Sequence, residues 1–305
     1  MGTIGRAVLR ETYRRAALLL AATAVLTGCG GSSKTESKLA APFAYDTSKP
    51  LNLKSRGTSL GSEGIEVRDV SYDGPAGSRL TAYLLLPPGE GPHPAVVFVH
   101  GAGGNRAELV SEAVAMAREG AVALTLEMSY SPRRAAALPA GMDGLRARTG
   151  NEVESVREVR RAVDLLRSLP SVDGDRIGYV GWSAGARIGA VVAGVDHRID
   201  AFDLIAGGAT PVDEYVRLAP AEIRSEIDSL LSTTDPLRYV GHAAPSALLF
   251  QDGRRDELVP QDALKTLARA GSDPKEVRWY GMGHVPSEEA WADSRSWLSD
   301  RLDLT

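Results

Sequence analysis

Hydrophobic and polar positions follow a different rhythm in successive stretches of this chain. From Ile65 to Tyr72 they alternate, as expected of a strand with one face buried. Asp73 to Gly77 is turn chemistry, and Arg79 to Leu86 reads as a second strand, so the pair predicts an antiparallel hairpin at one edge of a sheet. The alternation then gives way to continuous apolar runs. Pro94 to Val99 and Ala121 to Leu126 have no polar face, which suits strands buried on both sides of a parallel sheet. Arg176 to Gly181, Ala201 to Ala206, Ala247 to Gln251 and Glu276 to Tyr280 read as further strands.

Helical periods separate these runs. Glu108 to Glu119 is followed by Gly120 as a stop. In Glu152 to Leu169 the residues Val153, Val156, Val159, Val163 and Leu166 form an apolar stripe, with Glu154, Arg157, Glu158 and Arg161 expected to face outward. Ala184 to Val195 is a helix of small residues, Val212 to Leu231 a polar helical segment suited to a small cap, and Asp262 to Ala270 and Ser287 to Leu302 close the set. Strands alternating with helices predict an α/β fold around a largely parallel sheet.

The first residues obey none of these rhythms. Arg6, Arg10, Arg14 and Arg15 precede the apolar run from Ala16 to Ala22, and small residues lead to Leu26-Thr27-Gly28-Cys29. A basic start, a short apolar stretch and a small-residue cleavage site make a secretory signal peptide over residues 1–28. The run is too short to span a bilayer. Its ending resembles the bacterial lipobox, which implies lipidation of Cys29 and a membrane-anchored protein outside the cytoplasm. Cys29 is the only cysteine, so no intramolecular disulfide is possible. The Arg14-Arg15 pair leaves the export route open. Residues 29–62 are rich in Gly, Ser, Lys and Thr and are expected to be a flexible tether, with partial packing on the domain surface around Pro42-Phe43 and Tyr45 as the alternative, and residues 63–305 as the folded domain.

Composition changes the picture little. With 305 residues, 43% hydrophobic and 24% charged, the chain has material for one sizeable core. The net charge of −4 becomes more negative once four Arg and one Glu leave with the signal segment, which argues against nucleic acid as a partner.

The chemistry concentrates in a few places. Gly181-Trp182-Ser183-Ala184-Gly185 fits G-x-S-x-G between a buried strand and a helix, the context a nucleophile elbow needs. His100-Gly101-Ala102-Gly103-Gly104 follows another buried strand, where acyl-transfer sites draw their second oxyanion donor. The amides of Ala102 and Ala184 are therefore the candidate oxyanion hole, and His100 is expected to hold its loop in shape. A serine hydroxyl needs a base. His284, between the last strand and the last helix, is the candidate, whereas His93 lies between prolines before a strand and His197 and His242 sit in exposed connections. A carboxylate must orient that base. Asp256 is favoured, with Asp252 and Glu257 as alternatives, and Asp252 is expected to cap the turn at Gly253. No histidine spacing suggests a metal, and Gly101 to Gly104 lacks the partners of a dinucleotide fingerprint, so no cofactor is expected.

In this order, the hairpin, His100 to Gly104, Val172-Asp173 to Gly178, the elbow, Gly253 to Pro260 and Gly283-His284 resemble an α/β hydrolase of the dienelactone-hydrolase and prolyl-oligopeptidase-like group. The resemblance spans Ile65 to Leu302 and implies the α/β-hydrolase fold with a Ser183, Asp256, His284 triad acting on a small-molecule ester in preference to an amide. Dienelactone hydrolases proper use a cysteine where this chain has Ser183. Ala186 stands where relatives often have glycine, so helix–strand crowding is expected there. The rival readings are a peptidase and a non-catalytic binding lipoprotein, which acyl-ester assays and a fluorophosphonate probe separate.

Overall fold

The computed structural model describes residues 38–304 except Gly61. Residues 38–40 are helical and are described by themselves. The signal segment and Cys29 lie outside the described residues.

From Pro42 onward one nine-stranded sheet organises the chain. Its strands are β1 (Lys54–Leu60), β2 (Glu66–Asp73), β3 (Arg79–Leu86), β4 (His93–Val99), β5 (Val122–Leu126), β6 (Val172–Trp182), β7 (Ala201–Ile205), β8 (Ala247–Gly253) and β9 (Lys275–Tyr280). They lie in the order β1-β2-β3-β5-β4-β6-β7-β8-β9. The first three strands and β5 pair antiparallel, and every pairing from β5 through β4 to β9 is parallel. This is the α/β-hydrolase fold. The mostly apolar runs are the strands buried on both faces: β5, β7 and β8 have no exposed position, and their polar residues Asp203, Gln251 and Asp252 are buried with them.

Helices α1 (Val110–Arg118), α2 (Gly141–Ser168), α3 (Ala184–Ala193), α4 (Val212–Leu218), α5 (Arg224–Thr233), α6 (Gln261–Ala270) and α7 (Glu288–Arg301) connect the strands. The chain leaves β4 for β5 on one side and β6 takes the other side, so the strand order reverses between β4 and β6. The crevice outside their C-terminal ends is where open α/β sheets bind ligands. His100 follows β4 and Ser183 follows β6.

Four expectations need correction. The tether ends earlier than residue 62, because Lys54–Leu60 forms β1 against β2; the hairpin of β2 and β3 is therefore internal. Helix α2 starts at Gly141, a turn-rich stretch whose apolar period is too weak to read. The segment from Val212 to Leu231 is two helices. Pro220 has no N–H to continue the first and holds Ala219 extended at φ −73°, ψ 150°. Finally, Glu158 and Arg161 do not face water: they are 1% and 2% exposed. Glu158 accepts from the Ser129 amide at 2.9 Å, and Arg161 donates to the carbonyls of Lys49, Pro50 and Asp73.

Candidate active site

Ser183 joins β6 to α3 with φ 55° and ψ −111°, a left-handed region that a side-chain-bearing residue adopts only under constraint. The constraint is visible. Ser183 donates its amide to Ile205 O at 2.8 Å, and Arg187 N donates to Ser183 O at 3.1 Å. The flanking glycines are sterically required. A Cβ on Gly181 would meet the Gly185 carbonyl at 2.6 Å, and one on Gly185 would overlap Val99 O. The tight turn thus brings α3 against the end of β4 and lifts the Ser183 side chain above the sheet. Ala186 is fully buried without crowding its neighbours, because Gly207 opposite has no Cβ; one there would lie 2.7 Å from the Ala186 methyl.

Two loops from the far half of the sheet deliver the partners. His284 Nε2 is 2.9 Å from Ser183 Oγ, and His284 Nδ1 is 2.9 Å from Asp256 Oδ2. A carboxylate only accepts, so the proton sits on Nδ1 and leaves Nε2 to accept from the serine. The other oxygen of Asp256 accepts the amides of Leu258 and Val259, both at 2.9 Å. The Asp256 side chain is fully buried and that of His284 is 7% exposed. The His284 carbonyl accepts from Trp182 Nε1 at 3.0 Å, which ties the histidine loop to the residue beside the serine. Of the three candidate carboxylates, Asp256 alone meets His284.

Asp252 has a different environment from the one expected. It lies in β8, 1% exposed, and its Oδ2 has no partner, so it caps no turn. The nearby amides of Arg254 and Arg255 bond instead to the carbonyls of Tyr280 and Met282. Burial, with the Asp256 charge beside it, pushes the Asp252 carboxyl up to about 7. Glu257 is exposed, with its carboxylate over Gly283.

Ala102 and Ala184 line the same cavity of about 520 Å³ as Ser183. Ala184 opens α3, where a helix cannot satisfy its own first N–H groups. The Ala102 loop is braced on several sides. Glu108 Oε2 accepts the Gly101 amide at 2.9 Å, and Tyr130 donates its hydroxyl to His100 O at 2.5 Å. His100 donates from Nδ1 to Gly101 O at 2.7 Å while Nε2 accepts from Met128 N at 3.4 Å. Burial lowers its pKa, which suits a neutral ring fixed in place.

Sequence reading passed over Glu108, Tyr130, Arg148, Glu152, Arg187 and Thr234. All but Glu108 line the cavity, Arg187 one helical turn beyond the serine. That i, i+4 spacing was a usable signal. Arg148 was beyond reach because the start of α2 was not recognised. Among the described residues no cluster of His, Cys, Asp or Glu can hold a metal ion, and no helix is long and apolar enough to cross a membrane.

An acetyl xylan esterase from a Paenibacillus species superposes with a TM-score of 0.73 at 21% identity, covering 91% of this chain and 96% of the esterase. One from a Thermoanaerobacterium species matches at 0.73 and 16%, covering 89% and 93%. A puromycin-hydrolysing peptidase from Mycobacterium tuberculosis matches at 0.62 and 18%, covering 84% of this chain and 49% of the peptidase. At such identities the likeness concerns the fold. Among curated proteins no sequence matches significantly. Residues 80–284, which include both loops and the elbow, match the model of the dienelactone hydrolase family. That span exceeds half of the chain, and with it the protein belongs to the dienelactone hydrolase family and is a hydrolase acting on ester bonds.

Proposed function

We propose that the protein is a serine esterase that works through a Ser183, His284, Asp256 acyl-enzyme mechanism. The observation that carries this reading is the unbroken hydrogen-bonded line from Asp256 through His284 to Ser183, with 2.9 Å at each step. Ser183 Oγ attacks the ester carbon as His284 Nε2 takes its proton. Asp256 holds the ring in the required tautomer and stabilises the imidazolium. The oxyanion forms toward the amides of Ala102 and Ala184, where fixed dipoles stabilise it without reorganising. His284 then gives its proton to the leaving alcohol, and the acyl-enzyme remains. In deacylation His284 takes a proton from water, the hydroxide attacks the acyl carbon, and the returning proton frees Ser183.

A fluorophosphonate probe is expected to label the wild-type protein at Ser183. Ser183→Ala is expected to fold normally and lose ester turnover by about 10⁴-fold or more. Wild-type turnover in the folded variant overturns the mechanism.

We further propose that residues 1–28 are removed on export and that Cys29 carries lipid, holding the domain at the outer face of a membrane. The single cysteine placed at the end of Leu26-Thr27-Gly28-Cys29 supports this. Each acyl methylene inserted in a bilayer contributes about 0.8 kcal/mol. Cys29→Ser is expected to move the protein from the membrane to the soluble fraction with activity per molecule retained; an unmodified Cys29 in the mature wild type, read by mass spectrometry, refutes the anchor.

A further inference from the structure

The cavity that holds Ser183 has a neighbour on the other side of Arg187. Beyond that side chain lies a second cavity of about 600 Å³, and the two share Arg148, Glu152, Arg187 and Thr234 as a common wall. These polar groups already have partners. Arg148 pairs with Glu152 at 3.1 Å, and Thr234 donates to the other Glu152 oxygen at 2.5 Å. Arg187 donates to Gly208 O at 2.8 Å and to Thr210 Oγ1 at 2.6 Å.

Past this wall the lining is largely apolar, including Leu145, Tyr215, Leu218, Ile227, Leu231 and Val259. The helices that supply much of it, α4 and α5, add little to the core: α5 has no buried residue and α4 only Val212. Among the described residues seven large hydrophobics are exposed, and four of them, Leu138, Tyr215, Leu218 and Leu258, line one of the two cavities. Apolar surface gathered around a concave site in this way marks a ligand surface.

We propose that this second chamber receives an apolar arm of the ester, so that the substrate carries a long alkyl or an aryl group. The proposal rests on the esterase reading above and names the substrate class for that site. An arm passing Arg187 meets polar groups that are already bonded and then leaves water among Ile227, Leu231 and Leu145. Each methylene fully buried there strengthens binding about fourfold. The exposed rim lets a longer arm emerge, so affinity should rise with length and then level off. The arm belongs either to the acyl group or to the alcohol, and the same chamber chemistry serves both.

Two substrate series distinguish these sources: p-nitrophenyl esters from acetate to decanoate, and acetates of alcohols from ethanol to decanol. One series is expected to show kcat/KM rising at least tenfold between two and eight carbons, chiefly through KM. Ile227→Trp, which fills the chamber, should abolish that rise, and Ile227→Asp should reverse the preference toward short esters. Neither substitution touches a buried core position, and Leu231→Trp provides a second filled chamber if thermal melts show that the first variant is unfolded. Flat series in both arms, an unchanged length profile in the filled variants, or a preference for acetylated xylan over octanoyl esters each overturn the chamber while leaving Ser183 an esterase nucleophile. Absence of all ester turnover together with a Ser183 inert to fluorophosphonate overturns the esterase reading and the chamber with it.

Discussion

Two aspartates four residues apart illustrate what decides a role at the scale of one residue. Asp256 lies past Gly253 on a loop that runs beside the histidine loop, and both of its oxygens have donors. Asp252 remains in the strand, with a buried oxygen that has none. Asp256→Asn is expected to lower turnover about 10⁴-fold by holding His284 in the wrong tautomer. Asp252→Asn is expected to keep turnover and to change the pH dependence of stability. The Asp252 carboxyl titrates near 7 in the folded chain and near 3.8 when unmodified by the fold. Between those values the folded state holds a proton that the unfolded state has released. Wild-type stability contributed by this group is therefore complete below about pH 4 and is lost as pH rises through 7. The asparagine variant should melt higher than wild type at pH 8 and lose that margin at pH 4. Steady-state kinetics and melts at both pH values test the pair; loss of turnover in Asp252→Asn alone would exchange their roles. The carboxylate that meets His284 lies in Gly253 to Pro260, one of the stretches that carry the family resemblance, whereas the desolvation of Asp252 comes from strand packing that no local pattern reveals.

At the scale of the element, the parts legible in the sequence were those whose requirements are local. A strand buried on both faces is apolar at nearly every position, and β4, β5 and β7 announced themselves that way, with Thr125 and Asp203 as the buried polar exceptions. The elbow was legible for a steric reason: Gly181 and Gly185 mark the places where α3 and the end of β4 leave no room for a Cβ. Gly185→Ala must therefore push α3 off Val99 O, with an expected cost of about 1–3 kcal/mol and a loss of kcat as Ser183 and Ala184 move. Gly150, inside α2, has nothing within reach of an added Cβ. Gly150→Ala is expected to stabilise the protein by about 0.5–1 kcal/mol with kcat unchanged, since alanine loses less backbone entropy in a helix. Chemical denaturation of the two variants, with activity as a second readout, checks the contrast; equal effects would mean that backbone contact is not what fixes the elbow. Elements shaped by partners distant in sequence were not legible. The early turns of α2 lack a clear stripe because part of their face lines the substrate cavity, where Arg148 and Glu152 replace apolar residues.

At the scale of the whole molecule, the largest surprise is the segment from Pro42 to Leu60, which composition marks as tether. Its strand β1 reads Lys-Ser-Arg-Gly-Thr-Ser-Leu, has a register shift between Ser55 and Gly57, and is exposed over Lys54 to Ser59. Those are the features of a protected sheet edge, and an edge strand needs no apolar alternation to form. The stretch before it is held by α2. Arg157 and Arg160 donate to the carbonyls of Pro42 and Phe43 at 2.8 Å, and Tyr45 donates to Asp164 at 2.8 Å. Phe43 is fully buried and meets Tyr239 edge-on at 5.6 Å. Arg161, also buried, has two of its acceptors in Lys49 and Pro50. The polar side chains of α2 that seemed destined for water thus bind main chain around Pro42, Phe43 and Tyr45, where surface packing was the alternative to a tether. A chain starting at Pro42 is expected to melt like the full-length protein and to keep its esterase activity. One starting at Gly64 loses β1, the Phe43 side chain and two of the acceptors of Arg161. Phe43→Ala alone should cost about 3–5 kcal/mol, and leaving a buried guanidinium short of partners adds a penalty of similar size. Together these approach the stability of an ordinary domain, so the shorter chain should fail to fold, with α2 and the cavity wall it carries lost as well. Thermal melts and fluorophosphonate labelling of the two truncations test this; a shorter chain that melts cooperatively near the longer one and is labelled at the same rate would return residues 42–60 to the role of a tether.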